Sequence, residues 1–279
     1  GILNGTTNFI LSEMYKKNSD FDIELKNAQS NGYAETDPTN DIEGLDAAHK
    51  LTILSVLCFG VNFNLKNVFY KGISDINKSD IIFSKKLGYK IKLVSTSEII
   101  DNKIISIVEP TLVKESSKLS NVNDVKNGLK IETNHHESLF FEGEGAGGMA
   151  TASSIISDLL EISKLKNNDS LGYKINNLIP IKSIDYNERR CSFYLRIVVK
   201  DLPGVLAKIT SYLNNEKISI ETILQLPENT RNNLNNQVPI IITTHETSYG
   251  LINQAIEKIK KLDFVISNIK IISIDKNII

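Results

Sequence analysis

The last third of the chain carries a regular alternation of apolar patterns that restricts its fold more than any other feature. Between residues 191 and 275, stretches with period-two alternation take turns with stretches whose apolar residues recur at helical spacing. In chain order these are strand CSFYLRIVVKD, helix LPGVLAKITSYLNNEK, strands ISIETILQL and QVPIIITTHE, helix YGLINQAIEKIKKL and strand VISNIKIISID. This βαββαβ order predicts a ferredoxin-like domain.

The preceding part of the chain is predicted to begin with helices and to continue with strands. Capping residues between Asn4 and Asn8 precede an apolar helical face, and further helices are expected over Phe21–Ser30 and about residues 43–59. Strands are predicted in KGISDI, YKIKLVSTSEII, KIISIVEPTLV and GLKIETNHHESLFFEG, with a helix near residues 79–87. The predicted fold class is therefore α+β: a mixed β-sheet with helices packed on one face, followed by the βαββαβ domain. The polar residues 164–190 are predicted to be a linker, with a short strand in INNLIPI.

Residues 32–51, GYAETDPTNDIEGLDAAHKL, gather five acids and a lysine where a loop runs into a helix. The proline after Asp37 biases that residue away from the α region. The chain should therefore stay extended there, and the helix is expected to start near Asp41 or Glu43.

Asp46 and Lys50 form the centre of a candidate small-molecule site. They are four residues apart, so their side chains are neighbours on one helix face, and Glu35 on the approach can fold back toward them. Paired carboxylates can fix an ammonium or hydroxyl group, and a lysine beside them can give or take a proton at a carbonyl oxygen. An Asp–Lys pair at this spacing is also common on solvated helix faces, where it has no function. The pair lies just off a predicted buried stripe formed by Ala47, Leu51, Leu54 and Cys58.

A glycine-rich turn, GEGAGG at residues 143–148, follows a predicted strand and precedes the predicted helix MATASSIISDLLEI. It satisfies G-x-G-x-x-G formally, but no strand with a terminal acid follows about twenty residues on, so we do not predict a Rossmann unit. A glycine turn at a helix start can still offer backbone amides to an anion.

Charge and composition argue against several classes of protein. The 279 residues carry a formal net charge of −1, which argues against a nucleic-acid partner. No apolar run is long enough to span a membrane and the first residues do not form a signal sequence, so we expect a cytoplasmic protein without a membrane partner. Cys58 and Cys191 are expected to be packed thiols. His135 and His136 fit a turn better than a zinc site, and no bound metal is expected.

The segments GILNGTTNFILSEM and AQSNGYAETDPTNDIEGLDAAHKLTILSVLCFG, both within residues 1–60, resemble the catalytic segment of the homoserine dehydrogenase family in order and spacing. The resemblance implies interconversion of aspartate 4-semialdehyde and homoserine, with NADP or NAD as the cofactor. It implies that Lys50 donates the proton to the carbonyl oxygen, and that Glu35 and Asp46 hold the substrate amino and hydroxyl groups. Further implied contacts are Asp41 and Tyr33 at the substrate, and Thr6 and Gly5 near the junction of substrate and cofactor.

The glycine turn resembles the GxGAG turn that closes the catalytic domain in this family, where the glycines approach the cofactor. Gly143, Gly145 and Gly147 match that pattern. Family members usually have proline at the position of Glu144 and often at that of Ala150, so this sequence departs twice. A carboxylate at Glu144 would repel a dinucleotide phosphate if it pointed inward.

The DLPGVLAKI turn and the βαββαβ order resemble an ACT domain, a regulatory module that commonly binds amino acids. Asp201 and Gly204 match its ligand turn, although Gly204 fits a plain helix-entry glycine equally well. Bacterial homoserine dehydrogenases often carry this module at the C-terminus, with threonine as the usual effector, and the modules commonly join between chains. The resemblance therefore implies a threonine effector and a homo-oligomer. The expected domains are 1–163 for the catalytic domain, 164–190 for the linker and 191–279 for the ACT domain.

The chain begins at Gly1 without a methionine, whereas GILNGT in the resembled family follows a nucleotide-binding domain. We therefore interpret the sequence as a fragment that is inactive alone, and expect the metal ligands and the residues that choose between NAD and NADP to lie upstream. The alternative is a non-catalytic amino-acid sensor, in which the ACT module binds threonine and the upstream lobe mediates assembly. A strand followed by G-x-G-x-x-G in the upstream coding sequence would favour the enzyme.

Overall fold

The computed structural model describes residues 1–135, 137–164, 174–225 and 237–276. These residues fall into two compact units, the first within residues 1–110 and 115–183 and the second within residues 111–114 and 184–278. Across the described residues, no helix is both long enough and apolar enough to cross a lipid bilayer.

The helices and strands are labelled in chain order. The α-helices are α1 Gly5–Lys17, α2 Phe21–Ser30, α3 Thr39–Ile42, α4 Leu45–Phe59, α5 Lys78–Lys86, α6 Gly148–Lys164, α7 Val205–Asn215 and α8 Tyr249–Ile259. Short 3₁₀ turns occupy Leu65–Asn67, Leu119–Asn121, Ile175–Asn177 and Tyr186–Glu188. The strands are β1 Val61–Asn62, β2 Phe69–Tyr70, β3 Tyr89–Ile100, β4 Lys103–Lys114, β5 Lys126–Ile131, β6 Leu139–Glu144, β7 Ile179–Pro180, β8 Lys182–Ser183, β9 Arg190–Lys200, β10 Ile220–Gln225, β11 Gln237–Thr244, β12 Thr247–Ser248 and β13 Lys270–Asp275.

The first two predicted helices are confirmed. α1 starts directly after Asn4, whose side-chain oxygen accepts a hydrogen bond from the backbone N–H of Thr7 at 2.8 Å. The apolar face of α1 is buried in the core of the first unit. α2 has the predicted bounds and is followed by Gly32, whose φ of 74° lies in the left-handed region.

The helix predicted over about residues 43–59 is confirmed as α4, but it starts two residues after Glu43 and not near Asp41. Asp41 belongs to the short helix α3, Gly44 follows with a φ of 85°, and α4 begins only at Leu45. The left-handed conformation of Gly44 cannot continue an α-helix, so the chain changes direction there. Asp46 consequently lies in the first turn of α4.

The predicted buried stripe on α4 is only partly present. Ala47 and Leu51 are buried, Leu54 is half-buried and Cys58 is exposed. The prediction that Cys58 is a packed thiol is therefore wrong. At this end of α4 the side chain that turns inward is Ser55, which is 1% exposed.

The strands of the first unit form a mixed arrangement, as predicted. β3 and β4 make a hairpin whose turn residues, Asp101 and Asn102, have φ values of 48° and 60°, typical of a two-residue type I′ turn. β2 and β8 pair in parallel with β4, and β5 pairs antiparallel with β6. The short strand predicted in INNLIPI is β7, which pairs in parallel with β1. Part of the predicted linker, residues 165–173, lies outside the described residues.

The strand predicted in KGISDI is wrong, because residues 71–76 form bends and turns after β2. Gly72 approaches α3 so closely that a Cβ atom there would lie 2.1 Å from the carbonyl oxygen of Ile42. The backbone N–H of Ile73 donates to the same oxygen at 2.8 Å. The segment therefore packs against α3 instead of extending a sheet.

The second unit has the predicted βαββαβ order. Its strands lie in the order β10, β11, β9, β13, with antiparallel neighbours, and β12 pairs with the start of β9. Residues 111–113, at the end of β4, pair in parallel with β13. Cys191 is half-buried against the core, as predicted. The core includes Phe193, Leu195, Ile197, Ile209, Leu213, Ile240, Ile242, Ile252 and Ile256.

Candidate functional site

Three elements of the first unit meet at the side chain of Asn4, the residue that caps α1. Its Nδ2 donates to Asp41 Oδ1 on α3 at 2.8 Å and to Asp46 Oδ2 on α4 at 2.9 Å. Asp46 Oδ2 also accepts from Lys50 Nζ at 2.7 Å, and Lys50 Nζ donates to the carbonyl oxygen of Leu3 at 3.1 Å. The structure thus brings Asp41, Asp46 and Lys50 together, and we call these three residues and Asn4 the Asn4 cluster.

The Asn4 cluster differs from an ordinary ion pair on a helix surface. The Lys50 and Asp46 side chains are 43% and 31% exposed, so a ligand can reach them. Exposed pairs of this kind contribute little stability. Here, however, a buried amide also holds the carboxylate and a main-chain oxygen also holds the ammonium. Lysine has three N–H donors, and these contacts use two of them, which leaves one for a ligand.

The loop that carries Tyr33 and Glu35 is fastened to α1. The Thr6 hydroxyl donates to the carbonyl oxygen of Tyr33 at 2.6 Å, and the Tyr33 ring packs against Phe9 with the ring centroids 4.9 Å apart. Glu35 is exposed, and within the described residues its carboxylate makes no hydrogen bond or ion pair with the Asn4 cluster. The structure therefore places Tyr33 and Thr6 together but does not bring Glu35 to Lys50.

The side chain of Asp37, two residues after Glu35, makes its hydrogen bonds within its own loop. Its Oδ1 accepts hydrogen bonds from the hydroxyl and the backbone N–H of Thr39, and the hydroxyl contact lowers the pKa of the Asp37 carboxyl. This turn gives Asp37 a local structural role.

Gly5, the first residue of α1, has a packing reason to be glycine. A Cβ atom there would lie 2.7 Å from the carbonyl oxygen of Val125. Close approach of two backbones therefore explains this glycine without a ligand.

The predicted strand, glycine turn and helix are present as β6, the turn and α6. Gly143 is in β6, and Gly145 and Gly147 lie between β6 and α6. A Cβ atom at Gly143 or Gly147 would meet nothing within 4 Å, and Gly147 has a φ of 109°. A Cβ atom at Gly145 would lie 2.1 Å from Asn127 Nδ2. The turn is therefore open at both ends and closely packed only in its middle.

Asn127 connects this turn to the Asn4 cluster. Its Nδ2 makes a long hydrogen bond of 3.4 Å to the carbonyl oxygen of Leu3, the same oxygen that accepts from Lys50. Its Oδ1 is buried and has no hydrogen-bond partner among the described residues. A buried acceptor of this kind calls for a donor, and a ligand N–H can supply one. Lys50 and Asn127 thus donate to the same carbonyl oxygen, and Asn127 in turn packs against Gly145 of the glycine turn.

Neither asparagine was predicted as a site residue. The sequence indicates Asn4 only as a capping residue, and Asn127 belongs to no motif. The position of Asn4 directly before Gly5 and Thr6 was the available signal. Asn127 offered none, because 124 residues separate it from Leu3.

Glu144, the departure in the glycine turn, lies across the β5–β6 ladder from Lys126. Lys126 Nζ pairs with Glu142 Oε1 at 2.9 Å. The hydrogen bond with Glu142, and to a smaller extent the charge of Glu144, raises the pKa of Lys126. The lysine therefore offsets part of the negative charge on this side of the turn.

In the second unit, Asp201 and Gly204 lie between β9 and α7. Gly204 caps α7 with a φ of 84°, and a Cβ atom there would meet nothing within 4 Å. Its backbone conformation, not a close neighbour, therefore favours glycine. Asp201 is exposed, so the turn is open to solvent.

Within the described residues, no group of three or more His, Cys, Asp or Glu side chains could hold a metal ion. His135 is exposed, and His136 lies outside the described residues.

Comparison with known proteins identifies the family. The profile of the homoserine dehydrogenase family matches residues 1–160, and the ACT domain profile matches residues 193–264. The chain belongs to the homoserine dehydrogenase family. The homoserine dehydrogenase of Neisseria gonorrhoeae is 39% identical over 274 residues, which are 95% of this chain and 61% of that protein. The Bacillus subtilis homoserine dehydrogenase is 40% identical over 270 residues, again 95% of this chain and 61% of that protein.

Solved homoserine dehydrogenase structures have the same fold. The enzyme from Thiobacillus denitrificans superposes with a TM-score of 0.89 at 37% identity, covering 98% of this chain and 62% of that one. The S. aureus homoserine dehydrogenase at pH 8.5 gives 0.71 at 30% identity, covering 99% and 63%. The predicted α+β fold with a C-terminal ACT domain is thereby confirmed. The chain spans about six-tenths of the length of the homoserine dehydrogenases that it matches.

Proposed function

We propose that this chain is part of an enzyme that interconverts L-aspartate 4-semialdehyde and L-homoserine with NADP or NAD. The observation that carries the proposal is the position of Lys50 in the Asn4 cluster. Its ammonium is held by Asp46 and by the main chain, and it keeps one N–H for a substrate oxygen. Reduction of a carbonyl group needs a proton donor beside the carbonyl oxygen, and the free N–H of Lys50 can serve as that donor.

In this proposal Lys50 donates a proton to the carbonyl oxygen of the semialdehyde, and it takes the proton back when homoserine is oxidised. NAD(P)H, when bound, supplies the hydride to the carbonyl carbon. Asp46 and the carbonyl oxygen of Leu3 fix the ammonium before the substrate arrives, which lowers the cost of orienting it.

The acids of the site would hold the amino-acid end of the substrate. Asp46 and Glu35 are proposed to bind the substrate amino and hydroxyl groups, and Asp41 and Tyr33 to support them. Glu35 is exposed on its loop, where a substrate can reach its carboxylate. The remaining proposed contacts, near the junction with the cofactor, are Thr6 and Gly5.

The residues of this chain that suit the reacting end of the cofactor are Gly143, Gly145 and Gly147. The open space at the outer two glycines fits a group pressed against the backbone. The buried Asn127 Oδ1, which has no partner among the described residues, fits a ligand amide N–H. Asn127 would connect this part of the site to Lys50, because both side chains donate to the carbonyl oxygen of Leu3.

For the second unit we propose regulation. The proposed domains are a catalytic domain at 1–163, a linker at 164–190 and an ACT domain at 191–279, in which Asp201 and Gly204 contact threonine. We further propose a homo-oligomeric, cytoplasmic enzyme of threonine, methionine and isoleucine biosynthesis, without nucleic-acid or membrane partners.

The test uses the protein expressed from the complete gene. Homoserine-dependent reduction of NAD+ and NADP+ is followed by absorbance, with and without threonine. Turnover that threonine inhibits supports both parts of the proposal, and turnover without inhibition supports the enzyme but not the effector. Threonine binding without any turnover would instead support the non-catalytic sensor.

A further inference from the structure

The side chain of Asn4 uses its full hydrogen-bonding capacity within the first unit. Its Oδ1 accepts from the backbone N–H of Thr7 at 2.8 Å and from the Thr7 hydroxyl at 2.9 Å. Its two N–H groups donate to Asp41 and Asp46. A flipped amide would turn its oxygen toward two carboxylates and its NH₂ toward a backbone N–H, so these contacts fix its orientation.

Asn4 therefore holds two carboxylates around one neutral donor. Acceptors on the two hydrogens of one NH₂ group lie about 5 Å apart, a distance at which two carboxylates repel each other. Lys50 provides a cation to Asp46, while Asp41 receives its donor from Asn4. Because Asn4 is neutral, the two aspartates and Lys50 give the cluster a formal net charge of −1. This charge suits the ammonium group of an amino acid.

Capping of α1 does not by itself require asparagine. Serine and aspartate cap helices about as well as asparagine. Serine would cap α1, but its single hydroxyl cannot donate to both carboxylates. Aspartate would place a third carboxylate at this position, which is buried with only 4% of the residue exposed. The amide is thus explained by the two acids and not by the cap.

We infer that Asn4 is a positioning residue of the dehydrogenase reaction, which holds Asp41 and Asp46 so that Asp46 in turn fixes Lys50. The inference rests on the proposed function. It assigns to Asn4 a role through the acids and not through direct contact with the reacting atoms.

The first test is Asn4→Ser in the complete protein, with Asn77→Ser as the matched control. Asn77 caps α5 in the same way, because its Oδ1 accepts from the backbone N–H of Asp80 at 3.1 Å. Hydrogen bonds to charged groups imply a fall in kcat/KM for homoserine of about 10- to 100-fold for Asn4→Ser. Asn77→Ser should leave kcat/KM unchanged. Equal kcat/KM for the two variants overturns the inference.

A double-mutant cycle separates positioning from general structural damage. If Asn4 acts through the acids, Asn4→Ser should cost clearly less activity in an Asp41→Asn background than in the unsubstituted protein. An equal cost in both backgrounds, with a melting temperature well below that of Asn77→Ser, would show a merely structural role.

Calorimetric titration with homoserine adds a readout that does not depend on turnover. We expect about 10-fold weaker binding to Asn4→Ser than to Asn77→Ser. An active unsubstituted protein with equal binding and activity in the two variants rejects only the role of Asn4. An unsubstituted protein that neither turns over nor binds homoserine rejects the proposed function, and the inference with it.

Discussion

Replacing Lys92 with methionine is expected to remove a pH dependence from the stability of the first unit. Lys92 lies on β3, is 2% exposed, and donates from Nζ to the Val122 carbonyl oxygen at 2.6 Å and to Asn8 Oδ1 at 2.9 Å. Longer hydrogen bonds run from Nζ to Ser12 Oγ at 3.3 Å and to Asn123 Oδ1 at 3.4 Å, so all four of these partners are neutral oxygens. Burial lowers the pKa of Lys92 from 10.5 to about 7.

The size of the effect follows from this pKa difference. Between pH 7 and 10.5 the unfolded chain holds the Lys92 proton and the folded chain releases it, so the free energy of unfolding rises with pH in this window. One proton of difference corresponds to about 1.4 kcal/mol per pH unit, or about 2.5 kcal/mol from about pH 7.5 to 9.5. Above pH 10.5 Lys92 is neutral in both states, so its burial costs no free energy for desolvating a charge. Below pH 7 Lys92 is protonated in both states, and the full cost of burying the charge destabilises the folded state.

The assay is equilibrium urea unfolding, followed by far-ultraviolet circular dichroism at several pH values across this window. The informative quantity is the difference between the unsubstituted protein and Lys92→Met, because other titrating groups contribute to both. Lys103→Met, at an exposed position that starts β4, is the matched control and should keep the slope. If Lys92→Met and the unsubstituted protein show the same slope, Lys92 does not lose its proton in the folded state within this pH window.

Three further predictions concern the proposed activity and its regulation. Lys50→Met in the complete protein should lower kcat at least about 100-fold with a much smaller change in KM. Lys71→Met is the control and should keep kcat, because Lys71 is also partly exposed and paired with an aspartate four residues away. Steady-state kinetics measure both variants, and an unchanged kcat in Lys50→Met removes Lys50 from the mechanism. Glu35→Gln should raise KM for homoserine about 10-fold with kcat nearly kept, because it weakens a charge-assisted hydrogen bond; an unchanged KM excludes Glu35 from substrate binding. Gly204→Ala and Gly32→Ala place alanine at φ values of 84° and 74°, so each should cost about 1 kcal/mol of stability in urea unfolding. Only Gly204→Ala should weaken inhibition by threonine, and equal inhibition of both variants argues against an effector site at Gly204.

The second unit was predictable because its strands and helices differ clearly in apolar period. β9 and β11 are long strands and α7 and α8 each bury one stripe, so the pattern survives in the sequence. The errors in the first unit come from contacts between distant segments. KGISDI alternates like a strand, but Gly72 packs against Ile42 on α3. The spacing on α4 correctly predicted that Asp46 and Lys50 meet, while the left-handed Gly44 shifted the start of that helix.

Buried polar residues were the hardest feature of the first unit to predict. In YKIKL the alternation is typical of a strand with one solvated face, which would leave Lys92 in water. The structure buries it, because oxygens from α1 and from the segment before β5 surround its ammonium. No local sequence pattern specifies partners that come from two distant segments. The same holds for Asn4, whose partners Asp41 and Asp46 lie 37 and 42 residues away.

These polar contacts make α1 the element that aligns both halves of the proposed site. At its start Asn4 holds the two acids, and Thr6 holds the loop through the carbonyl oxygen of Tyr33. One turn further on, Asn8 Nδ2 donates to the carbonyl oxygen of Lys126, the residue directly before Asn127. A shift of α1 would therefore move Asp41, Asp46 and the strand that borders the glycine turn together, and Asp46 is the acid that fixes Lys50. Since hydride and proton must reach opposite ends of one carbonyl group, contacts from one helix to both sides of the proposed site would help to keep those sides aligned.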